Sequence, residues 1–339
     1  MSQGSSGGEI AQPLNIGNVV TAGFRLYRSH LKLYFLIALR SQAWQWLPAW
    51  VLLPIGLVVA TIAPDNPSPE DFIGLILLST VLGAGLFIFG SMKFLVNSAQ
   101  ISRLAFGDLV EQPESPRMAS QQVNARMWRF LGMGFLMWLI RTLATTAFVV
   151  VVGLFIVLLA IVATLVTGTS FQMLDRDPAT AFVVLAILVI GGVAVFLAAM
   201  IPLGWFLLRF FIVEVPLAIE DNIGPADTIG RSWTLTKGNV IRLFVIALVG
   251  FAITVPIQFA IQLFSNILQL IVSVAVPGFE NPTLAMAPVL ILFFLVIFGL
   301  FIVSNALVLP FWQTLKAAAY YDLRSRREGL GLQLRDREI

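Results

Sequence analysis

Six long apolar runs, at approximately 31–62, 72–102, 130–167, 180–212, 240–276 and 286–319, limit what this chain can fold into. Each exceeds the roughly 20 residues needed to cross a hydrocarbon core about 30 Å thick. A segment in lipid must satisfy its own backbone, so such runs are expected to be helices. Composition agrees, with 58% hydrophobic and only 12% charged residues, against about a quarter charged in soluble proteins. The expected fold is therefore all-α: a polytopic membrane helix bundle of six transmembrane helices. Pro48, Pro54, Pro202, Pro256 and Pro310 mark places for bending.

Cytoplasmic segments collect Lys and Arg, so the connections between runs predict orientation. One side holds Arg25, Arg28 and Lys32, then Arg103, Arg117, Arg126 and Arg129. The same side takes Arg209, Arg231, Lys237 and Arg242, with Lys316, Arg324, Arg326, Arg327, Arg335 and Arg337 at the C-terminus. The opposite connections hold only Arg176, among Asp65, Glu70, Asp71, Asp175, Asp177 and Glu280. Both termini are thus expected in the cytoplasm. The net charge of +3 is sorted by membrane side, so nucleic acid is not an expected partner.

The segments before two of the runs read as amphipathic helices at the cytoplasmic interface. Ile16, Val20, Phe24 and Tyr27 form one stripe near 16–29, and Ala226, Ile229 and Trp233 form another near 225–237, where Pro225 suits a first helical turn. Residues 31–39 align without gaps to 240–248, and upstream Phe24 meets Trp233, Leu26 meets Leu235 and Arg28 meets Lys237. A weaker copy, Ala119, Val123, Met127 and Phe130, precedes the third run. The pattern predicts a threefold repeat of interfacial helix plus hairpin near 14–115, 116–223 and 224–330. These units form one membrane domain, 14–330, between flexible tails at 1–13 and 331–339.

Three segments carry a family likeness: PLNIGNVVTAGFRLYRSH at 13–30, GPADTIGRSWTLTKGN at 224–239 and YYDLRSRREGL at 320–330. With Tyr321, Asp322, Arg324, Arg326, Glu328 and Gly329 in place, the chain resembles the membrane domain of bacterial glycerophosphoryl diester phosphodiesterases. That domain also occurs as a stand-alone integral membrane protein of poorly defined function. The resemblance implies a bacterial inner membrane, or another energy-transducing one. The enzymes' chemistry needs paired histidines and a cluster of acidic metal ligands, whereas this chain has one histidine, His30. The expectation is no enzyme, no metal and no cofactor.

Arg40, Lys93 and Arg141 fall inside the runs, about 9 to 11 residues from their cytoplasmic ends, at a nominal depth of about 13 to 17 Å. Snorkelling to headgroups accounts for them; the sharper expectation is convergence on an anionic lipid headgroup or solute. Phe24, Arg28, Trp233, Lys237, Tyr321 and Arg324 are the expected interfacial anchors. Asn97, Gln100, Asn305 and Gln313 either line a polar cavity or bond within the bundle. Small residues four apart, such as Ser79 with Gly83 and Ala194 with Ala198, permit close packing or contacts between copies. The expected role is a non-enzymatic membrane factor that binds or organises anionic lipids or partner membrane proteins. The alternative is a transporter or lipid translocator for an anionic substrate, without carboxylate-based coupling.

Overall fold

The computed structural model describes residues 15–62, 69–167, 178–276 and 287–329, and these fall into eleven helices with no strand among them. Helices α1 (Ile16–Ser29), α2 (Leu31–Gln45) and α3 (Leu47–Ile62) precede the long α4 (Pro69–Leu109). The short α5 (Pro116–Ala125) leads to α6 (Met127–Thr167) and α7 (Pro178–Leu208). After α8 (Glu214–Ile219) and α9 (Pro225–Thr236) come α10 (Val240–Ala275) and α11 (Ala287–Glu328). The tails at 1–13 and 331–339, and the acidic connections with Asp65, Asp175, Arg176, Asp177 and Glu280, lie outside the described residues.

Five helices, α4, α6, α7, α10 and α11, are long and apolar enough to cross a membrane. The chain is a multi-pass membrane protein. The first run departs from the single span expected, because it is divided at Trp46 into α2 and α3. Pro48 has no N–H to offer the Trp44 carbonyl, so the ladder loses that bond at the break. That carbonyl instead faces Gly90 of α4, where an added Cβ would overlap the oxygen. Pro54, Pro202, Pro256 and Pro310 all sit inside helices.

The chain divides into two compact units, Met1–Gly134 with Ile212–Ile339, and Phe135–Phe211. In the second, α6 and α7 expose Leu143, Val149, Leu154, Phe182, Ile190 and Ile201. Helices apolar on every side are suited to lipid. Phe148 meets Phe196 edge-on at 5.6 Å, and Gly191 lies close under Leu159.

In the first unit, burial is concentrated at one end. Along α4 the residues from Ile73 to Phe89 are mostly exposed, whereas Met92, Val96, Ile101, Leu104 and Ala105 are buried. Helix α11 is likewise exposed at Leu292 and Leu295 and buried at Phe311, Leu315 and Tyr320. Helix α10 runs the other way, with Val240, Leu243 and Ile246 buried and Phe259, Leu263 and Leu270 exposed. At 42 residues, α11 is about 63 Å long, roughly twice the thickness of a hydrocarbon core. Its buried end belongs to a packed layer completed by α1, α2, α5, α8 and α9.

Helices α1 and α9 have nearly the bounds expected from sequence. Asn15 caps α1 by accepting the Asn18 N–H at 2.7 Å. Its buried face is Val19, Val20, Gly23 and Leu26, one position round from the expected stripe. Gly23 permits this, since a Cβ there would stand 3.0 Å from the Leu315 Cα of α11. In α9 the buried face is Thr228, Ser232, Leu235 and Thr236, leaving Ala226 exposed and Ile229 and Trp233 half-buried. Gly238, at φ +79°, makes the turn into α10 in a conformation glycine adopts without steric cost.

Candidate functional site

The packed layer is held by charged groups that the chain supplies from distant positions. Helix α8 is its hub. Five of its six residues, Glu214 to Ala218, are buried, and its C-terminal carbonyls have no partners within the helix. Arginines from other elements supply them. Arg103 donates to Ala218 O at 2.6 Å while gripping Glu114 through Nε and Nη2 at 2.8 and 2.7 Å. Arg126 donates to Leu217 O and Glu220 O at 3.2 and 2.6 Å, and pairs with Asp221 at 2.5 Å. Arg129 reaches Ile223 O at 3.3 Å. Cations at a helix C-terminus also complement its dipole.

At the other end of α8, Glu214 Oε1 accepts from Gln313 Nε2 at 2.9 Å and Lys316 Nζ at 2.5 Å. Ser102 Oγ donates to Gln313 Oε1 at 2.6 Å. One buried chain of bonds thus ties α4, α8 and α11. Glu220 accepts from Tyr320 Oη at 2.5 Å and Arg231 Nε at 2.9 Å. Arg231 also pairs with Glu328, which Arg324 Nε meets at 3.0 Å. Burial by itself lowers the pKa of the Arg231 guanidinium, but hydrogen bonds to Glu328 and Glu220, with their charges, raise it above its ordinary value. Asp322, 1% exposed, lies between Arg242 Nε at 2.8 Å and Arg326 Nε at 3.0 Å. The i, i+4 pairing of Asp322 with Arg326 follows from helical spacing; Arg242 adds a second helix to it.

Against this scaffold the residues expected from sequence separate into engaged and outward groups. Lys93 is half-buried and donates to Asn124 Oδ1 at 3.2 Å, with Phe89 5.9 Å away beneath its ammonium. Arg40 is exposed on α2 in the same unit, and Arg141 is exposed on α6 in the other. Tyr321 is 1% exposed and packs against Phe106, so its ring faces protein where headgroups were expected. Arg324 is engaged with Glu328. His30, the one histidine, stands 3.4 Å from Asp108, which accepts from Tyr34.

Of the polar quartet, Gln313 joins the network and Gln100 donates to Pro116 O at 2.9 Å. Asn97 is buried with its Nδ2 unpaired. Asn305 lines a groove between α10 and α11.

The outward group is basic. Arg25, Arg28, Lys32 and Arg40 are exposed along α1 and α2, with no acidic partner among the described residues. Phe24, 42% exposed, Leu31 and Leu36 lie among them. Phe24 and Tyr27 also rest on Phe311, at 6.4 and 6.1 Å. Lys237 is exposed at the end of α9, and its carbonyl accepts from Arg327. The sequence reading missed Glu214 and Glu220 as partners. The visible signal was an acid inside FFIVEVPLAI, since a carboxylate in an apolar run needs a cation when buried.

A family model described as a domain of unknown function, DUF7847, matches residues 133–323, more than half of the chain. The chain belongs to the DUF7847 family. The DUF7847 region begins inside α6 and ends inside α11, so it contains Glu214, Glu220, Arg231, Arg242, Gln313, Lys316, Tyr320 and Asp322. The basic surface of α1 and α2 lies before it. The DUF7847 match carries no link to phosphodiesterase membrane domains. No curated protein and no solved structure matches the chain.

Proposed function

We propose that this protein is a non-enzymatic integral membrane factor that binds anionic lipid headgroups at the cytoplasmic face of its membrane. The observation that carries this reading is the division of cations in the packed layer. Arg103, Arg126, Arg231 and Arg242 are paired with acids, while Arg25, Arg28, Lys32 and Arg40 point outward beside exposed apolar side chains. Basic residues beside apolar ones on short helices suit an anionic interface. Arg40 and Arg141 are the outward members of the intramembrane trio, and we retain them as secondary headgroup ligands.

Each basic side chain near an anionic surface is worth about 1 kcal/mol. Replacing Arg25, Arg28 and Lys32 together by Gln is therefore expected to lower the preference for phosphatidylglycerol over phosphatidylcholine at least about tenfold. Native mass spectrometry of the purified protein would read this. Unchanged preference in a folded variant would reject the proposal. Translocation of an anionic substrate has less support, because no charged side chain lines the groove between α10 and α11.

The topology we propose has six crossings, with α2 and α3 together making the first, and the packed layer facing the cytoplasm. Reporter fusions after Ser68, Thr169 and Asn281, positions outside the described residues, should all report the opposite side. A cytoplasmic signal from any of them would break the six-crossing arrangement. Burial supports the internal repeat as well. Under the alignment of α1 with α9, Val19 and Thr228, Gly23 and Ser232, and Leu26 and Leu235 are all buried. Tyr34 and Leu243 follow suit in α2 and α10.

A further inference from the structure

Inside the apolar half of α10, the polar residues Gln258, Gln262, Ser265, Asn266 and Gln269 are confined to one face. At 100° per residue they occupy a stripe about 100° wide, rising about 17 Å along the helix. All five line a groove of about 500 Å³ between α10 and α11. Opposite them, Phe293, Ile297, Phe301 and Val308 of α11 make an apolar wall, and Ser304 and Asn305 add polar groups near the Val308 end. Phe259, Leu263 and Leu270 on α10, with Leu292 and Val296 on α11, are exposed and apolar, so acyl chains can reach the groove from the side.

Carboxamides at this depth are costly unless they are hydrogen-bonded. The protein satisfies them only in part. Gln262 Nε2 donates to Asn266 Oδ1 at 3.0 Å, Asn305 Nδ2 to Phe301 O at 2.8 Å, and Ser265 Oγ to Ile261 O at 2.9 Å. Gln258 and Gln269 are exposed and have no hydrogen-bond partner among the described residues.

We infer that this groove binds an uncharged lipid with a polyhydroxylated headgroup. Hydroxyls both donate and accept, as carboxamides do, and so can pair along the whole stripe. The absence of any charged residue from the lining selects against a phosphate or an ammonium, while the apolar wall and the lateral opening favour a lipid over a free sugar. The volume lies within the usual range of small-molecule sites, about 300–1,000 Å³. This site does not depend on the anionic surface proposed above and differs from it in ligand charge.

The test uses the full chain in phosphatidylcholine nanodiscs containing either a diazirine-bearing glycosyl diacylglycerol or a diazirine-bearing phosphatidic acid. The glycolipid probe should label residues 258–269 and 293–308. Joint replacement of Gln258, Gln262 and Gln269 by Leu should reduce that labelling at least about fivefold, with phosphatidic acid labelling unchanged. Ile297→Trp, which fills the groove while leaving the stripe intact, should have the same effect. Equal labelling by both probes, glycolipid labels elsewhere, labelling indifferent to both variants, or cross-links joining the α10 helices of two copies in place of lipid labels would each overturn the inference.

Discussion

Replacing Asp322 by Ala is expected to destabilise the protein by about 3–5 kcal/mol, the range for removing one member of a buried ion pair. The carboxylate is 1% exposed and neutralises Arg242 from α10 and Arg326 from its own helix. Its loss leaves two guanidiniums close together without that anion, and like charges drive α10 and α11 apart. Asp221→Ala is the comparison, because that side chain is 84% exposed where it meets Arg126, and exposed pairs contribute about 0–1 kcal/mol. Thermal melts of detergent-solubilised protein, followed by size-exclusion chromatography, should therefore separate the two variants widely. Equal melting temperatures would show that the clamp on Asp322 does not hold the packed layer.

Gly90→Val is expected to cost at least as much as typical overpacking, about 1–3 kcal/mol, because the group it meets cannot rotate away. The obstacle is the backbone carbonyl of Trp44, which Pro48 cannot bond and which is seated against α4. To admit a side chain, α2 must shift as a body, and α2 packs on both α4 and α11. Gly85→Val, five residues earlier on the same helix, meets nothing within 4 Å and should leave the elution profile and melting temperature near those of the parent. If both variants behave alike, the break at Trp46 is not what fixes α2 on α4.

Hydropathy made the membrane-crossing helices legible, and amphipathic spacing with Pro225 gave α1 and α9 nearly to the residue. The break at Trp46 was hidden because 31–62 is apolar throughout, although Pro48 carried the physical reason. Orientation counting treats every Arg as a loop cation. It could not show that Arg103 would cross to Ala218, or Lys316 to Glu214, since these pairs lie more than 100 residues apart. Tyr321 was misjudged for a related reason: an aromatic beside charges fits an interface and a packed layer equally well. The α10 stripe escaped notice because five polar residues spread over twelve positions barely lower the average of an apolar run, and only their angular position sets them on one face.

The central claim is that α1 and α2 hold anionic headgroups, and the absence of cysteine from the chain makes a direct measurement simple. A fluorophore on Cys introduced at Ser29, in nanodiscs containing spin-labelled phosphatidylglycerol or spin-labelled phosphatidylcholine, reports which headgroup gathers beside Arg25, Arg28 and Lys32. The predicted result is stronger quenching by the phosphatidylglycerol label, falling to the phosphatidylcholine level when those three residues are replaced by Gln. Equal quenching by the two labels in the parent protein would contradict the claim.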